Sequence, residues 1–456
     1  MKSGNYRISW MLMILIAICF GSCNSNDDKE DGFDPSKPVV VTEFTPEEGS
    51  IGTRMFLYGE NFGTDPSKVK VTIGGVEAPV ISVDNTMIYC MVPGKAYEGD
   101  IKVQIVDDNG EPIAKVDVEG KFNYVKKMRV STLLGYKDDK DKFEVKDGPF
   151  EDCGGVGRSW WLSFDPKNHD HLYVAGEGQS LRLIDFSKRY LSTTTVTHKK
   201  IRAISWTLHG DSMIITHDQN SATSPSTYVF SRESGFKSQV PLINSKNCNT
   251  GAIHPVNGEL YYNLYDQAQV LRYDWETQKS EVLFPIGTNN WDFNIQIHPS
   301  GNYAYIVVLP KHIIFRSDYD WATKRFTTPY DICGEREKAG WVDGVGKKVR
   351  LDYPSQGTFV KNQEYIDKGA DDIYDFYFCD RNNNCIRILT PNGKVTTFAG
   401  RGSPGVNNST SGYIEGDLRT EARFNNPEGI VYDEERQCFF IGDRSNRRIR
   451  KIGYEE

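Results

Sequence analysis

The 456-residue chain lacks the usual signatures of a catalytic centre. It has no G-x-S-x-G elbow, no G-x-x-x-x-G-K-[ST] loop and no H-E-x-x-H helix, so no nucleophile elbow, phosphate cradle or zinc-protease site is announced. Histidine numbers only eight, and no C-x-x-C or His-rich spacing suits a metal. No metal, no cofactor and no catalytic residue set is therefore expected. Basic runs are also missing. With 54 Lys and Arg against 62 Asp and Glu, the formal charge is −8, and without a basic block no nucleic-acid partner is expected. No long segment repeats its apolar residues every 3.6 positions, so a helical architecture is excluded as well.

Cysteine is sparse and scattered. Besides Cys19 and Cys23 there are seven, at 90, 153, 248, 333, 379, 385 and 438. An odd, dispersed set is no disulfide framework. Isolated buried thiols are expected, with Cys379 and Cys385, which flank one hairpin loop, the one pair placed to bond.

What is present is β-strand sequence. Aromatics make up 12% of the chain and glycine numbers 41. Short β-branched runs such as VKVTIGG, TYVF and KVTTF are bounded by Gly, Asp, Asn or Pro. The expectation is an all-β protein.

The N-terminus carries Lys2 and Arg7, then an apolar run from Trp10 to Phe20 that is short for a bilayer span, then FGSC ending at Cys23. It resembles a bacterial lipoprotein signal. That resemblance implies a leader over 1–22 and a lipidated Cys23, with acyl chains holding the protein to a membrane. Residues 23–37 are polar and acidic and read as a flexible tether. Acidic residues after the lipid cysteine also resemble the surface-export signal of Bacteroidetes lipoproteins.

Residues 38–125 contain short strands at regular spacing, separated by Gly and Asp turns, as in an immunoglobulin-like sandwich. GENFG, VTIGGVEA and IYCMVPG resemble the IPT/TIG family, whose modules serve as spacers or interaction domains. From Lys126 onward the chain repeats. First-strand segments such as WWLSFDP, GAIHPVNG, IQIHPSGN and EGIVYDEE each lead to an apolar second strand and a third. Six such units suit a β-propeller over 126–456. DRNNNCIRILTPNGKVTTFAG and DRSNRRIRKI resemble NHL repeats. The last unit lacks a counterpart of KVTTFAG, and MRVSTLLG, 128–135, supplies one. The expected fold is an IPT/TIG sandwich followed by a six-bladed propeller closed by that N-terminal strand.

In propellers the first strands line a central channel. Aligning the repeats gives one entry position each: Trp160, Arg202, Thr250, Asn294, Gln356 and Glu428. Arg158, Trp291, Asp292, Trp341, Asn426, Asp218, Tyr265, Arg381 and Arg444 are expected on the same face. Aromatic faces suit pyranose C–H groups, and amides and guanidinium suit hydroxyls or carboxylates. The alternative for the tryptophans is packing between blades. Asp380 and Asp443, which open D-R-x-N turns, are expected to cap backbone N–H groups.

Taken whole, the chain resembles the IPT/TIG–NHL lipoproteins of Bacteroidetes. The resemblance implies an outer-membrane, surface-exposed accessory protein of polysaccharide uptake, with a glycan or other small nutrient as ligand and an outer-membrane transporter as partner. Two alternatives stand beside this non-catalytic reading. One is a propeller lyase or hydrolase acting on a carbohydrate or lactone, which requires an acid/base cluster in the channel. The other is a protein-docking scaffold, which requires an exposed apolar patch.

Overall fold

The computed structural model describes residues 32–140, 142–178, 180–195, 197–198, 200–402 and 409–455. The leader 1–22, the lipidation candidate Cys23 and the first part of the tether, 23–31, lie outside the described residues. Two compact units divide between Val125 and Lys126.

The first unit is a sandwich of two antiparallel four-stranded sheets. One holds Val40–Thr45, Arg54–Glu60, Met87–Met91 and Val80–Asp84; the other holds Val76–Ala78, Val69–Ile73, Asp100–Val106 and Pro112–Lys121. Alternation fixes the inward faces. In Val69–Ile73 the valines and isoleucine are buried while Lys70 and Thr72 are not, as a one-sided strand requires. The end of the expected tether is not free. Phe33 packs on this core, and Asn61 Nδ2 donates to the carbonyls of Asp34 at 2.9 Å and Lys37 at 2.8 Å. A buried, partnered amide fixes this segment against the sandwich.

The second unit contains six antiparallel sheets. Their inner strands are Arg158–Asp165, Ile201–Trp206, Gly251–Ile253, Phe293–Ile297, Pro354–Lys361 and Pro427–Asp433. Each adjoins the next, and the last adjoins the first. This is a β-propeller arrangement. The second strands are buried on both faces because a sheet packs on either side; every residue of Tyr303–Val308 and of Cys438–Asp443 is buried. Hence these strands read as unbroken apolar runs.

Met128–Leu134 pairs antiparallel with Arg448–Tyr454, from Met128 opposite Tyr454 to Leu134 opposite Ile449. Val130 is buried in a cluster with Ile441 and Ile452. The D-R-x-N turns hold fully buried ion pairs, Asp380–Arg387 at 2.7 Å and Asp443–Arg450 at 3.1 Å. Asp380 accepts from the backbone N–H of Asp352 at 2.7 Å and Asp443 from that of Asn425 at 2.8 Å. Both N–H groups belong to the segments entering the inner strands, so each carboxylate ties an inter-sheet connection to its own sheet. All seven cysteines of the described residues are buried free thiols, Cys379 and Cys385 included.

Candidate functional site

The inner strands do not run regularly into the channel. In four sheets the pairing slips at the entry end: between Ser159 and Trp161, Ile201 and Ala203, Pro354 and Gly357, and Pro427 and Gly429. The residues inside these slips are Trp160, Arg202, Ser355 with Gln356, and Glu428. A bulge re-aims a side chain that strict alternation would send elsewhere. Backbone irregularity thus gathers these groups at one opening. Gly357, just past one bulge, has no room for a side chain, since a Cβ there would meet the Phe376 ring at 2.3 Å.

Six expected residues line one narrow cavity of about 30 Å³: Trp160, Arg202, Asp292, Asn294, Gln356 and Glu428. Its walls are completed by Trp161, Asn249, Phe293, Leu309 and Ser355. That volume is near one water's share of liquid, far below the roughly 300 Å³ at which ligand pockets begin. The interior therefore has no room for a sugar-sized molecule.

The rim is a chain of paired charges. Arg202 lies 3.8 Å over the Trp160 ring and donates to Asp218 Oδ2 at 3.0 Å. Tyr265 donates its hydroxyl to Asp218 Oδ1 at 3.1 Å. Glu428, 3% exposed, is held between Arg381 at 3.2 Å and Arg444 at 2.9 Å. The Arg381 contact is a hydrogen bond. The Arg444 Nε–H does not aim at the carboxylate, so that contact is an ion pair alone. Burial, opposed by Glu428 but reinforced by the cations of Arg381 and Arg158, lowers the Arg444 pKa. Arg158 itself pairs with Glu177 at 2.8 Å. Asp292 is half-buried at the same cavity. Burial pushes its carboxyl upward, with Glu428 and Asp218 adding to the effect and Arg202 opposing it. Its Oδ1 accepts from Asn249 Nδ2.

Other expected residues serve the frame. Thr250 Oγ1 accepts from the Ile295 backbone across to the next sheet at 3.2 Å. Gln356 Oε1 accepts from Leu162 N at 2.9 Å and Ile430 N at 3.1 Å, while its Nε2 donates to Leu162 O at 2.8 Å. One amide thus clasps three sheets. Asn426 donates to the Arg381 carbonyl at 3.4 Å and accepts from Ser445 at 3.0 Å, tying two rim loops together.

The tryptophans differ most from the stacking expectation. Trp160 is 6% exposed with Arg202 over its face, and Trp291, 7% exposed, is stacked parallel to Phe315. Trp341 stands away from the channel, its Nε1 donating to Thr397 on an outer strand at 2.9 Å. The connection carrying it folds back as Gly344–Val345 along Lys394–Gly400. Residues the repeat alignment missed include Gln296, whose Oε1 accepts from Gly357 N at 2.8 Å, and Ser355, which donates to the Glu428 carbonyl at 2.8 Å. Both neighbour aligned positions on the inner strands, and that adjacency was their signal. Among the described residues, no three His, Cys, Asp or Glu side chains gather as a metal-ligand set.

An IPT/TIG domain model matches residues 38–124. The crystal structure of an auxiliary nutrient binding protein from Bacteroides thetaiotaomicron VPI-5482 is 61% identical, covers 93% of this chain and 100% of its own, and superposes with a TM-score of 0.89. The chain belongs to this family of IPT/TIG and NHL-repeat propeller proteins. A second family member, an auxiliary nutrient binding protein from Bacteroides ovatus ATCC 8483, is 42% identical over 93% of this chain and 100% of its own, with a TM-score of 0.72. Human NHL repeat-containing protein 2 is 28% identical over 158 residues, 32% of this chain; the chain spans about a fifth (19%) of that relative's length.

Proposed function

We propose that this family member is a non-catalytic accessory protein of nutrient uptake that binds a glycan across the rim of the propeller channel. In this reading the six sheets are blades of a closed six-bladed ring sealed by Met128–Leu134. Leader 1–22 is removed, Cys23 carries lipid, and the acidic tether lets the protein stand off the outer membrane beside a transporter. Full-length similarity to auxiliary nutrient binding proteins supports the nutrient role. The observation that carries the site is Glu428 held between Arg381 and Arg444 above a cavity too small to admit a sugar. The guanidinium groups of Arg381 and Arg444, positioned by the buried Glu428 carboxylate, can donate to hydroxyl pairs at that rim. A survey of mono- and oligosaccharides by thermal unfolding tests it. A ligand that raises the midpoint of the native protein, but not of Arg381→Ala, supports the reading; no shift with any sugar contradicts it.

One observation favours a second reading. Asp292, with its raised pKa, lines the same cavity as Glu428, and perturbed carboxylates mark candidate acid/base groups. A lyase or hydrolase would release product from an oligosaccharide, and Asp292→Asn would abolish that release.

A further inference from the structure

A five-residue string occurs twice, YDWET at Tyr273–Thr277 and YDWAT at Tyr319–Thr323. Each copy ends the third strand of its sheet, Gln269–Asp274 and Ile313–Asp320. In both, the aspartate fixes the turn. Asp274 Oδ1 accepts from the N–H groups of Glu276 and Thr277 at 2.9 Å, and Asp320 Oδ1 accepts from Ala322 at 2.9 Å. The tryptophan that follows is held the same way twice. Trp275 Nε1 donates to the Gly258 carbonyl at 3.1 Å, and Trp321 Nε1 donates to Asn302 Oδ1 at 2.9 Å. Each indole is pinned by its nitrogen edge, yet Trp275 is 40% exposed and Trp321 46%.

The two rings share one surface. Gly258, which receives Trp275, closes the turn that begins at His254, and the His254 ring meets Trp321 edge to face at 5.6 Å. Val256 lies exposed within that turn. Polar groups border it: Asn257 Nδ2 donates to Tyr319 Oη at 2.6 Å, and that hydroxyl donates to Glu259 at 2.9 Å. These turns lie at the far ends of the strands whose beginnings form the channel rim. Packing does not require large rings here, because what stabilises a fold through tryptophan is burial, and these are left half in water. Repeated, pre-oriented and exposed indoles with a hydrogen-bonding border suit the apolar face of a pyranose chain.

We propose that Trp275 and Trp321 form a second binding surface, for a neutral polysaccharide. The two turns carry both signs, Asp274, Glu276 and Asp320 beside Lys279, Lys324 and Arg325, so no excess cation selects a polyanionic chain. It stands independently of the channel rim.

Affinity gel electrophoresis of the protein from residue 32 onward tests it, in gels carrying dextran, amylopectin, laminarin, galactomannan or polygalacturonate. At least one neutral polymer retards the native protein. Trp275→Ala and Trp321→Ala each weaken retardation about tenfold, and the double variant abolishes it. Trp275→Tyr and Trp321→Tyr keep a ring and a polar edge and retain measurable binding, which separates a lost contact from a lost fold. Retardation is read against a polymer-free gel, and in the rim variants Arg381→Ala and Glu428→Gln the part lost with Trp275→Ala and Trp321→Ala persists, so failure of the rim site reads separately. The proposal is overturned if no neutral polymer retards the native protein, if only polygalacturonate does, or if the double alanine variant is retarded equally.

Discussion

The Arg202 guanidinium lies 3.8 Å over the Trp160 ring and 3.0 Å from the Asp218 carboxylate, so one cation joins the first and second sheets at the channel rim. Both charged partners are largely shielded from solvent, at 24% and 11% side-chain exposure. Removing one partner leaves the other uncompensated. Arg202→Ala is expected to cost about 3 kcal/mol in urea unfolding. Arg202→Met, which keeps bulk without charge, should lose a similar amount because Asp218 is left in the same position. An unchanged midpoint in both would show the pair to be dispensable.

Asp292 gives a pH dependence with a defined sign. Its carboxyl is pushed up by burial and by Glu428 and Asp218. An acid whose pKa rises on folding binds more protons in the native state. Its contribution to stability is full below the unfolded value near 4 and is lost as pH rises through the native value. Asp292→Asn removes that loss. Between pH 4 and 7 the variant should gain stability relative to the native protein, as read from paired urea curves. A variant that falls behind the native protein as pH rises would contradict this.

Gln356 holds two backbone N–H groups, of Leu162 and Ile430, through a single oxygen. Gln356→Ala buries both without partners. About 2–4 kcal/mol of destabilisation is expected, since an unsatisfied buried donor costs about 1–3 kcal/mol. Chemical denaturation measures it, and a change under 0.5 kcal/mol, roughly the range of an ordinary surface substitution, would show that other contacts carry the clasp.

The thiols offer a direct test of the core. Burial raises the pKa of Cys90 to about 12 and of Cys248 to about 11. Inert thiols are expected when neither ionised nor accessible. In the protein from residue 32 onward, Ellman's reagent should label none of the seven in the native state and all seven in guanidinium. Five in guanidinium would reveal a bond between Cys379 and Cys385.

Much of the propeller was legible because its repeats carry chemistry. The D-R-x-N strings mark buried Asp–Arg pairs, and double-sided burial leaves apolar runs. The pairing of Met128–Leu134 with Arg448–Tyr454 followed from a strand missing at one end and surplus at the other. Five of the six aligned entry positions line one cavity, while Thr250 is buried in the frame. What counting cannot show is where a side chain turns. Bulges at Trp160, Arg202, Gln356 and Glu428 decide that, and nothing in their local sequence marks them. The ring faces of Trp160 and Trp291 meet Arg202 and Phe315, in keeping with the packing alternative rather than with an open stacking face. Trp341 left the channel because its connection pairs with an outer strand. The twin YDW strings stood in the sequence throughout, but their exposure is a property of the fold.

The proposed rim site rests on the cluster of Arg381, Glu428 and Arg444. Isothermal titration of the best oligosaccharide from the survey into the native protein and into Glu428→Gln and Arg444→Ala tests it most directly. Affinity at least tenfold weaker is expected in both variants, with Trp275→Ala binding the short oligosaccharide as the native protein does. Equal affinity in all four proteins would place the ligand away from the rim.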